Sequence, residues 1–339
     1  MTQFAATDAP ASPLHLRVRD ERFPLEKSFV TAHGSKDAAH VVVVELNDGT
    51  SLGRGECVPY PRYDETVEGV IEQIRQVAPA IETGVLTRLT LAQAMPPGAA
   101  RNAIDLAFWD LEAKRSGRSV WEMTGLAVPR DMVTAYTISL DTPDAMGAEA
   151  SLQAHRPLLK LKLGAAGDLD RLAAVRRAAP NARLVIDANE GWTEQDLRRY
   201  LPALQQAGVE LLEQPLPAGR DQVLAEIPHL VPICADESCH VPEDLKRIGH
   251  CYDAVNVKLD KSGGLTTALD LTELAIARGM QVMAGCMVAS SLAIAPALLI
   301  ASRARWVDLD APLLLKQDRP WGLRFDGSRI LPGDARLWG

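Results

Sequence analysis

Charged residues recur at the ends of apolar segments in the second half of the chain. The first is Lys162, and it is followed at intervals of 25, 26, 23 and 22 positions by Asp187, Glu213, Asp236 and Lys258. Each of these residues ends or follows a short aliphatic run, as a strand with a charged last residue does. Charged side chains are rarely buried unless they are paired or functional. Their regular recurrence therefore indicates one site assembled from several strands.

Three residues of this series, Asp187, Glu213 and Asp236, are carboxylates and offer only oxygen ligands. Such a set favours Mg²⁺ over zinc, with water and substrate completing an octahedron. A second group of possible ligands, rich in cysteine and histidine, lies between residues 234 and 251. It lacks the close paired spacing of structural zinc sites, so we interpret its members as packed residues.

The lysines of the series supply acid and base groups. A lysine with its ordinary pKa of about 10.4 is a poor base at neutral pH. Lys160 lies on the same strand face as Lys162, and its charge and a nearby cation would both favour the neutral amine of Lys162. The metal would act on Lys258 in the same way. In a barrel the two strands lie on opposite sides of the axis, so the amines would flank a bound carbon α to a carboxylate. Such a pair can carry out 1,1-proton transfer.

Alternating strand and helix patterns must position these groups. The predicted strands cover residues 133–140, 158–163, 184–188, 210–213, 233–236, 254–258, 281–284 and 306–310. Helical patterns lie between them, as at 168–179, 194–207, 242–248 and 265–278. A repeat near 25 residues predicts an α/β fold with a parallel (β/α) barrel, whose active site lies at the carboxyl ends of the strands. No Gly-x-Gly-x-x-Gly follows a strand, which argues against a dinucleotide site.

The first part of the chain is patterned differently. Alternating segments around the hairpin signal at 47–50 predict antiparallel strands, and helical spacing follows. We predict a flexible tail over residues 1–12, an α+β domain over 13–125 and a barrel over 126–314. The last residues, about 315–339, lack the barrel repeat, and we expect them to complete the first domain.

Size, charge and cysteine content restrict the class of protein. The 339 residues are 47% hydrophobic and carry a formal net charge of −8 without a long basic run, which argues against a nucleic-acid partner. Five cysteines at irregular spacing favour a reducing compartment. The uncharged stretch 282–301 is interrupted by glycine, serine and proline, so we interpret it as strand, loop and buried helix. We expect a cytoplasmic protein without a membrane partner, and the number of subunits stays open.

Five motifs together resemble the muconate-lactonising subgroup of the enolase superfamily over nearly the whole chain. They are Lys160-x-Lys162, Asp187-Ala-Asn-Glu-Gly-Trp, Glu213-Gln-Pro-Leu-Pro, Ala-Asp236-Glu-Ser and Asn-Val-Lys258-Leu-Asp-Lys-Ser-Gly-Gly. The resemblance implies a (β/α)7β TIM-like barrel with an amino-terminal α+β capping domain. It also implies one Mg²⁺ per subunit held by the three carboxylates, with Lys162 and Lys258 as the acid/base pair. Lys160 is the predicted electrostatic tuner.

The last predicted strand carries Asp308-Leu-Asp310, which resembles the dipeptide epimerases. Alternation sends both carboxylates to one side, where they form a negative site for a cation. In that family the pair binds the free α-ammonium of a dipeptide. The resemblance therefore implies inversion of the α-carbon of the C-terminal residue, most closely that of L-Ala-D/L-Glu from peptidoglycan turnover, through a metal-stabilised enediolate.

One segment departs from those epimerases. His33 stands where they carry an arginine, and Lys36 is the nearest fixed cation, so these two are the predicted contacts of a glutamyl carboxylate. Three other functions stay open. An o-succinylbenzoate synthase or muconate-type cycloisomerase would have no ammonium for Asp308 and Asp310 to bind. A non-catalytic dipeptide-binding protein would have lost a base or ligand, and a Schiff-base aldolase would need no metal.

Overall fold

The amino-terminal domain is built on a long β-hairpin. A computed structural model describes residues 14–128 and 132–339, so the predicted tail lies outside the described residues. Strand β1 (His15–Thr31) pairs antiparallel with β2 (Gly34–Asn47), and β2 pairs antiparallel with β3 (Leu52–Cys57). Valines 41 and 43 of β2 pack into the core shared with the barrel, whereas valines 42 and 44 pack into the domain's own core. The alternation of one strand thus joins the two cores.

Helices cover one face of this sheet. They are α1 (Val67–Glu82), α2 (Leu91–Ala94), α3 (Ala99–Ser116) and α4 (Val120–Thr124). Helix α3 lies so close to β3 that a Cβ at Gly53 or Gly55 would stand 2.2 or 2.0 Å from a backbone oxygen of the helix. Only glycine permits this approach, which fixes the strand that leads into the segment above the site.

The second domain is a barrel of eight parallel strands, preceded by the two-residue strand β4 (Met132–Val133). Its strands are β5 (Tyr136–Ile138), β6 (Leu158–Lys162), β7 (Arg183–Asp187), β8 (Val209–Glu213), β9 (Ile233–Ala235), β10 (Ala254–Val257), β11 (Gln281–Gly285) and β12 (Trp306–Asp308). They are hydrogen-bonded in chain order, and the amide of Ala135 donates to the carbonyl of Val307 over 2.8 Å between the first and last strands. The predicted fold is confirmed.

Helices connect the strands of the barrel. They are α5 (Pro143–Leu152), α6 (Asp168–Ala178), α7 (Glu194–Gln206), α8 (Leu245–Ile248), α9 (Leu259–Ser262), α10 (Leu265–Ala277) and α11 (Ser291–Ala301). The connection from β8 to β9 contains a 3₁₀ helix, Gln222–Glu226, in place of an α-helix. Every residue of α11 is buried, as predicted for the uncharged stretch. Among the described residues, no helix is long and apolar enough to cross a bilayer.

The first predicted barrel strand, 133–140, is two strands in the structure. Met132–Val133 leaves the barrel and pairs with β14 (Arg329–Ile330), which forms a hairpin with β13 (Phe325–Asp326). Only Tyr136–Ile138 pairs with β6. The pattern of one segment could not reveal that its first residues pair with a strand almost 200 positions later. The chain ends against the first domain, where Trp338 Nε1 donates to the carbonyl of Leu106 over 3.1 Å.

Inward-facing side chains form two layers with different chemistry. The lower layer is a buried cluster of one residue per strand, and we call it the apolar floor: Ala135, Leu158, Val185, Leu211, Cys234, Ala254, Met283 and Trp306. Two residues further along each strand, on the same face, lies the polar layer. It consists of Thr137, Lys160, Asp187, Glu213, Asp236, Asn256, Gly285 and Asp308. The site is built on this second layer.

Candidate active site

Three carboxylates meet at the carboxyl ends of neighbouring strands. Asp187, Glu213 and Asp236 each contribute one oxygen, and these atoms lie within 4.8 Å of one another. They converge because parallel pairing sets the last residues of β7 and β8 side by side, with Asp236 directly after β9. Glu213 Oε2 and Asp236 Oδ1 make no well-oriented hydrogen bond with any described residue, although a lysine nitrogen lies within 2.7 Å of each. This all-oxygen set, with two oxygens that no well-oriented hydrogen bond engages, fits Mg²⁺.

Lys160 is enclosed by acids on the polar layer. Its Nζ lies 2.6 Å from Glu213 Oε2, 2.7 Å from Asp308 Oδ2 and 3.3 Å from Asp187 Oδ2, and the residue is 1% exposed. Burial lowers the pKa of Lys160, but the charges of Asp308 and Glu213 outweigh it and raise the pKa well above its ordinary value. Lys160 therefore stays protonated and links the carboxylate trio to the last strand.

Two further lysines stand above this layer. Lys162 Nζ lies 2.6 Å from Asp187 Oδ2, and Lys258 Nζ lies 2.6 Å from Asp236 Oδ2. Each of these lysines therefore contacts a different carboxylate of the trio. Burial lowers the pKa of Lys258, but Asp236 and Glu213 raise it well above its ordinary value. A bound cation is predicted from the sequence to lower the pKa of Lys258, whereas these carboxylates raise it.

Lys261 and Asn256 contact the carboxylates and were not among the predicted site residues. Lys261 Nζ lies 2.7 Å from Asp236 Oδ1 and also donates to the carbonyls of Cys239 and Asn256. Asn256 Nδ2 donates to Glu213 Oε1 over 2.6 Å. A Cβ at Gly285 would stand 2.3 Å from Asn256 Oδ1, so glycine leaves the room that this amide occupies. Asn256 lies two positions before Lys258, and strand alternation was the signal that could have found it.

The last strand contributes Asp308 and Asp310. Asp310 Oδ2 accepts a hydrogen bond from the backbone amide of Thr137 over 2.7 Å, across the closure of the barrel. Burial and the charge of Asp308 raise the pKa of Asp310 to about 7. Burial likewise raises the pKa of Glu213 to about 7, with Asp187 as the next cause. The pKa of Asp187, in contrast, falls to about 2, because the charges of Lys162 and Lys160 outweigh burial. The pKa values of the acids in this buried cluster therefore differ widely.

Two segments of the first domain cover the site, and we call them the lid: the hairpin tip at 31–36 and the segment 60–63. Arg62 donates to both carboxylate oxygens of Glu190, over 2.7 and 2.8 Å. Tyr63 packs edge-on against His240, with ring centroids 4.6 Å apart. His33 Nε2 stands 3.6 Å from Glu190 Oε2. The lid thus rests on loops that follow β7 and β9.

A cavity of about 430 Å³ lies between the lid and the polar layer. Eight of the ten predicted site residues line it: His33, Lys36, Lys160, Lys162, Asp236, Lys258, Asp308 and Asp310. The other two, Asp187 and Glu213, are fully buried beside the lysines that do. The Arg62–Glu190 pair was missed because its partners are 128 positions apart and belong to different domains.

Both domains match known families. Residues 14–125 match the amino-terminal domain of mandelate racemase and muconate lactonizing enzyme, and residues 145–326 match the enolase C-terminal domain-like family. The chain belongs to the enolase superfamily. Its two domains match those of this superfamily's mandelate racemase and muconate lactonizing members.

Individual members of the superfamily are similar to the chain over most of their length. L-Ala-D/L-Glu epimerase of Escherichia coli K12 is 45% identical, over 91% of this chain and 97% of that protein. N-acetyl-D-glutamate racemase of a Pseudoalteromonas species is 42% identical, over 88% and 95%. A crystal structure from Agrobacterium tumefaciens is described as an enolase family member with homology to dipeptide epimerases, with bound sodium and L-Ala-L-Glu. It is 50% identical, covers 96% of this chain and 100% of its own, and superposes with a TM-score of 0.94.

Proposed function

We propose that this enolase-superfamily protein is a Mg²⁺-dependent dipeptide epimerase that inverts the α-carbon of the C-terminal residue. One observation carries the proposal: Asp308 and Asp310 border the same cavity as Lys162 and Lys258. Two acids at one end of the cavity suit an ammonium group, and two lysines suit proton transfer at carbon. The similarity to L-Ala-D/L-Glu epimerase supports the same reaction. We propose L-Ala-L-Glu and L-Ala-D-Glu from peptidoglycan turnover, in the cytoplasm, as its substrates.

One Mg²⁺ per subunit is proposed to bind Asp187, Glu213 and Asp236. When bound, the ion supplies positive charge that holds the substrate α-carboxylate and stabilises the negative charge that develops there. The chain's own residues prepare this position. Asn256 orients Glu213 by its hydrogen bond, and Lys261 holds Asp236 through Oδ1. Such supporting contacts fix ligand geometry before the ion arrives.

The proton is proposed to move between Lys162, the α-carbon and Lys258. One lysine, as the neutral amine, takes the α-proton, and the C–H electron pair delocalises toward the α-carboxylate. The other lysine, as the ammonium, returns a proton to the opposite face. Both amines are largely buried, so little water competes for the proton while substrate fills the cavity. Reversal exchanges the roles, so the same pair serves both epimers.

The remaining substrate groups have proposed contacts at the two ends of the cavity. The N-terminal ammonium would bind Asp308 and Asp310. The side chain of the second residue would face the hairpin tip, where His33 and Lys36 are the predicted contacts. The lid closes over the substrate through Arg62 and Glu190. Because the ammonium site is built from carboxylates, the synthase and cycloisomerase alternatives are disfavoured.

Racemisation of an N-acylated amino acid is a second candidate activity. The observation that favours it is the ion pair of 2.7 Å between Lys160 and Asp308, which already compensates one of the two negative charges at the amino end. With Asp310 protonated near neutral pH, this end is able to donate a hydrogen bond to a neutral acyl oxygen. A relative with the name N-acetyl-D-glutamate racemase is consistent with this reading.

Deuterium exchange separates the candidates. The protein is incubated in D₂O and Mg²⁺ with L-Ala-L-Glu, with L-Ala-D-Glu and with N-acetyl-L-glutamate, and the α-deuterium is read by mass. Exchange and epimerisation of the dipeptides at a higher kcat/KM support the first proposal, and the reverse order supports the second. A protein that exchanges neither is no epimerase or racemase of these substrates. We expect EDTA to abolish the activity and Mg²⁺ to restore it, whereas a Schiff-base aldolase would keep its activity in EDTA.

A further inference from the structure

Two basic residues on the hairpin tip border the cavity, and their surroundings differ. His33 lies at the turn between β1 and β2, and Lys36 lies three positions later in β2. Both were predicted contacts for a substrate carboxylate. A carboxylate binds where a positive charge is not already compensated, so the neighbours of each residue decide which of the two is available.

His33 faces carboxylates of the protein itself. Its Nε2 lies 3.6 Å from Glu190 Oε2 and 3.9 Å from Glu237 Oε1. The side chain of Glu237 is 3% exposed, and its Oε2 has no hydrogen-bond partner among the described residues. Arg62 compensates the charge of Glu190. A substrate carboxylate beside His33 would therefore have to compete with two protein carboxyl groups, Glu190 and Glu237, whose oxygens already lie within 4 Å of the imidazole nitrogen.

Lys36 has the opposite surroundings. Across residues 14–128 and 132–339, no carboxylate lies within ion-pair distance of its Nζ and no hydrogen bond engages it. The nitrogen stands 4.7 Å from the centre of the Tyr60 ring, on the wall of the cavity. Burial and the charge of Lys258 lower the pKa of Lys36. A partly buried ammonium group without a counter-ion is available to bind an anionic group of the substrate.

We propose that Lys36, and not His33, binds the side-chain carboxylate of the second substrate residue and so selects an acidic side chain. This assignment rests on the proposed function. His33 then belongs to the lid, where it joins the hairpin tip to Glu190 and Glu237. The difference matters for specificity because Lys36 interacts with the part of the substrate that varies between dipeptides, whereas His33 acts on closure for every substrate.

The test compares a charged substrate with its neutral isostere. For the native chain and the Lys36→Met, Lys36→Arg and His33→Gln variants, kcat/KM is measured with L-Ala-L-Glu and with L-Ala-L-Gln at saturating Mg²⁺. We expect Lys36→Met to lower the Glu-to-Gln ratio about ten- to a hundredfold, the range of one charge-assisted hydrogen bond. Lys36→Arg restores most of the ratio. His33→Gln changes both substrates alike and leaves the ratio within about threefold.

An unchanged ratio in Lys36→Met, or a lowered ratio in His33→Gln, overturns the assignment. Calorimetric binding of the same two dipeptides in the presence of Mg²⁺ gives a ratio that requires no turnover. A native chain that binds L-Ala-L-Glu through Lys36 but exchanges no α-proton would contradict the proposed function and retain the assignment. If the native chain epimerised both dipeptides and the Glu-to-Gln ratio were the same in the Lys36 variants, the proposed function would stand and the assignment of Lys36 would be wrong.

Discussion

The two inward layers of the barrel come from the same strands and have opposite chemistry. In the apolar floor, Leu158, Val185 and Leu211 pack against Trp306 without a charged group. Two positions later on those strands stand Lys160, Asp187, Glu213 and Asp308, all buried, with each of the three acids paired with Lys160. Backbone geometry and burial are alike in both layers, so side-chain chemistry alone separates the part that stabilises the barrel from the part that we propose to be reactive.

The period-two alternation of the strands places both an apolar layer and a charged layer inside the barrel, and the two layers have different roles. The apolar floor removes water from beneath the charges, and charges in such surroundings interact more strongly than they would in water. Burial of an isolated charge would be costly, and the polar layer reduces that cost by pairing its acids with lysines, as around Lys160. A change in the polar layer should therefore affect chemistry and metal binding first, whereas a change in the floor should affect stability first.

Loss of either base should have the largest effect on activity. Because general acid–base catalysis contributes about 10²–10⁴-fold, we expect Lys162→Ala or Lys258→Ala to lower kcat/KM by that factor. Each variant should retain slow α-deuterium exchange from only one of the two epimers, since one base remains. Exchange is read by mass with L-Ala-L-Glu and L-Ala-D-Glu. The exposed Lys246→Ala is the control, and full exchange of both epimers by a base variant would refute the two-base mechanism.

Loss of a carboxylate from the trio should come next. Glu213→Gln keeps the side-chain volume but removes one anionic ligand, so Mg²⁺ affinity should fall at least about a hundredfold. Titration calorimetry with Mg²⁺ measures this without turnover. In Asn256→Ala, which removes the hydrogen bond to Glu213, we expect the Mg²⁺ affinity to fall by about ten- to a hundredfold. Equal Mg²⁺ affinity of Glu213→Gln and the native chain would mean that the ion binds elsewhere.

A change in the apolar floor should produce the converse result. We expect Leu211→Ala to lower the free energy of unfolding by about 2–5 kcal/mol, because it leaves a cavity in a fully buried cluster. Activity per folded molecule and Mg²⁺ affinity should change little. Urea unfolding gives the first quantity and calorimetry the last. If the variant lost Mg²⁺ binding at unchanged stability, the two layers would not be separable.

The pH dependence should distinguish the amino end of the cavity from the rest of the polar layer. The pKa of Asp310 is about 7 through burial and Asp308, so its carboxylate is protonated below that pH and no longer attracts an ammonium. At saturating Mg²⁺, kcat/KM for L-Ala-L-Glu should fall about tenfold per pH unit below 7. In Asp310→Asn this fall of kcat/KM below pH 7 should be weaker, and it should be absent with N-acetyl-L-glutamate as substrate. If kcat/KM fell equally for both substrates, another group would be responsible.

The lid should give the smallest effect. Arg62 is 41% exposed, so solvent screens its pair with Glu190 despite the bidentate geometry. We expect Arg62→Met to raise KM at most about fivefold and to leave kcat nearly unchanged. The control is Arg198→Met, which removes a similarly exposed arginine from its pair with Glu194 away from the site. A large fall in kcat would mean that the lid orients reacting groups and does more than cover them.

Several parts of this arrangement could be predicted because they depend on short-range patterns. The barrel strands, the ends at Lys162, Asp187 and Glu213, and the pair Asp308-x-Asp310 all follow from period-two alternation and a repeat near 25 residues. The split of residues 133–140 could not be predicted, since Met132–Val133 pairs with Arg329–Ile330. The Arg62–Glu190 pair could not be predicted either, because its partners are far apart in the sequence and belong to different domains.

The order of residues along the chain determined which groups end each strand, because pleating fixes the face of every second side chain regardless of the rest of the fold. It also determined the family, through motifs that are contiguous. Tertiary structure decided what those groups contact. His33 and Lys36 are three positions apart on one hairpin, yet His33 lies within 4 Å of Glu190 and Glu237, whereas no carboxylate of the described residues pairs with Lys36. The reason is physical: electrostatic interactions depend on distance in space, which only the packing of the two domains sets.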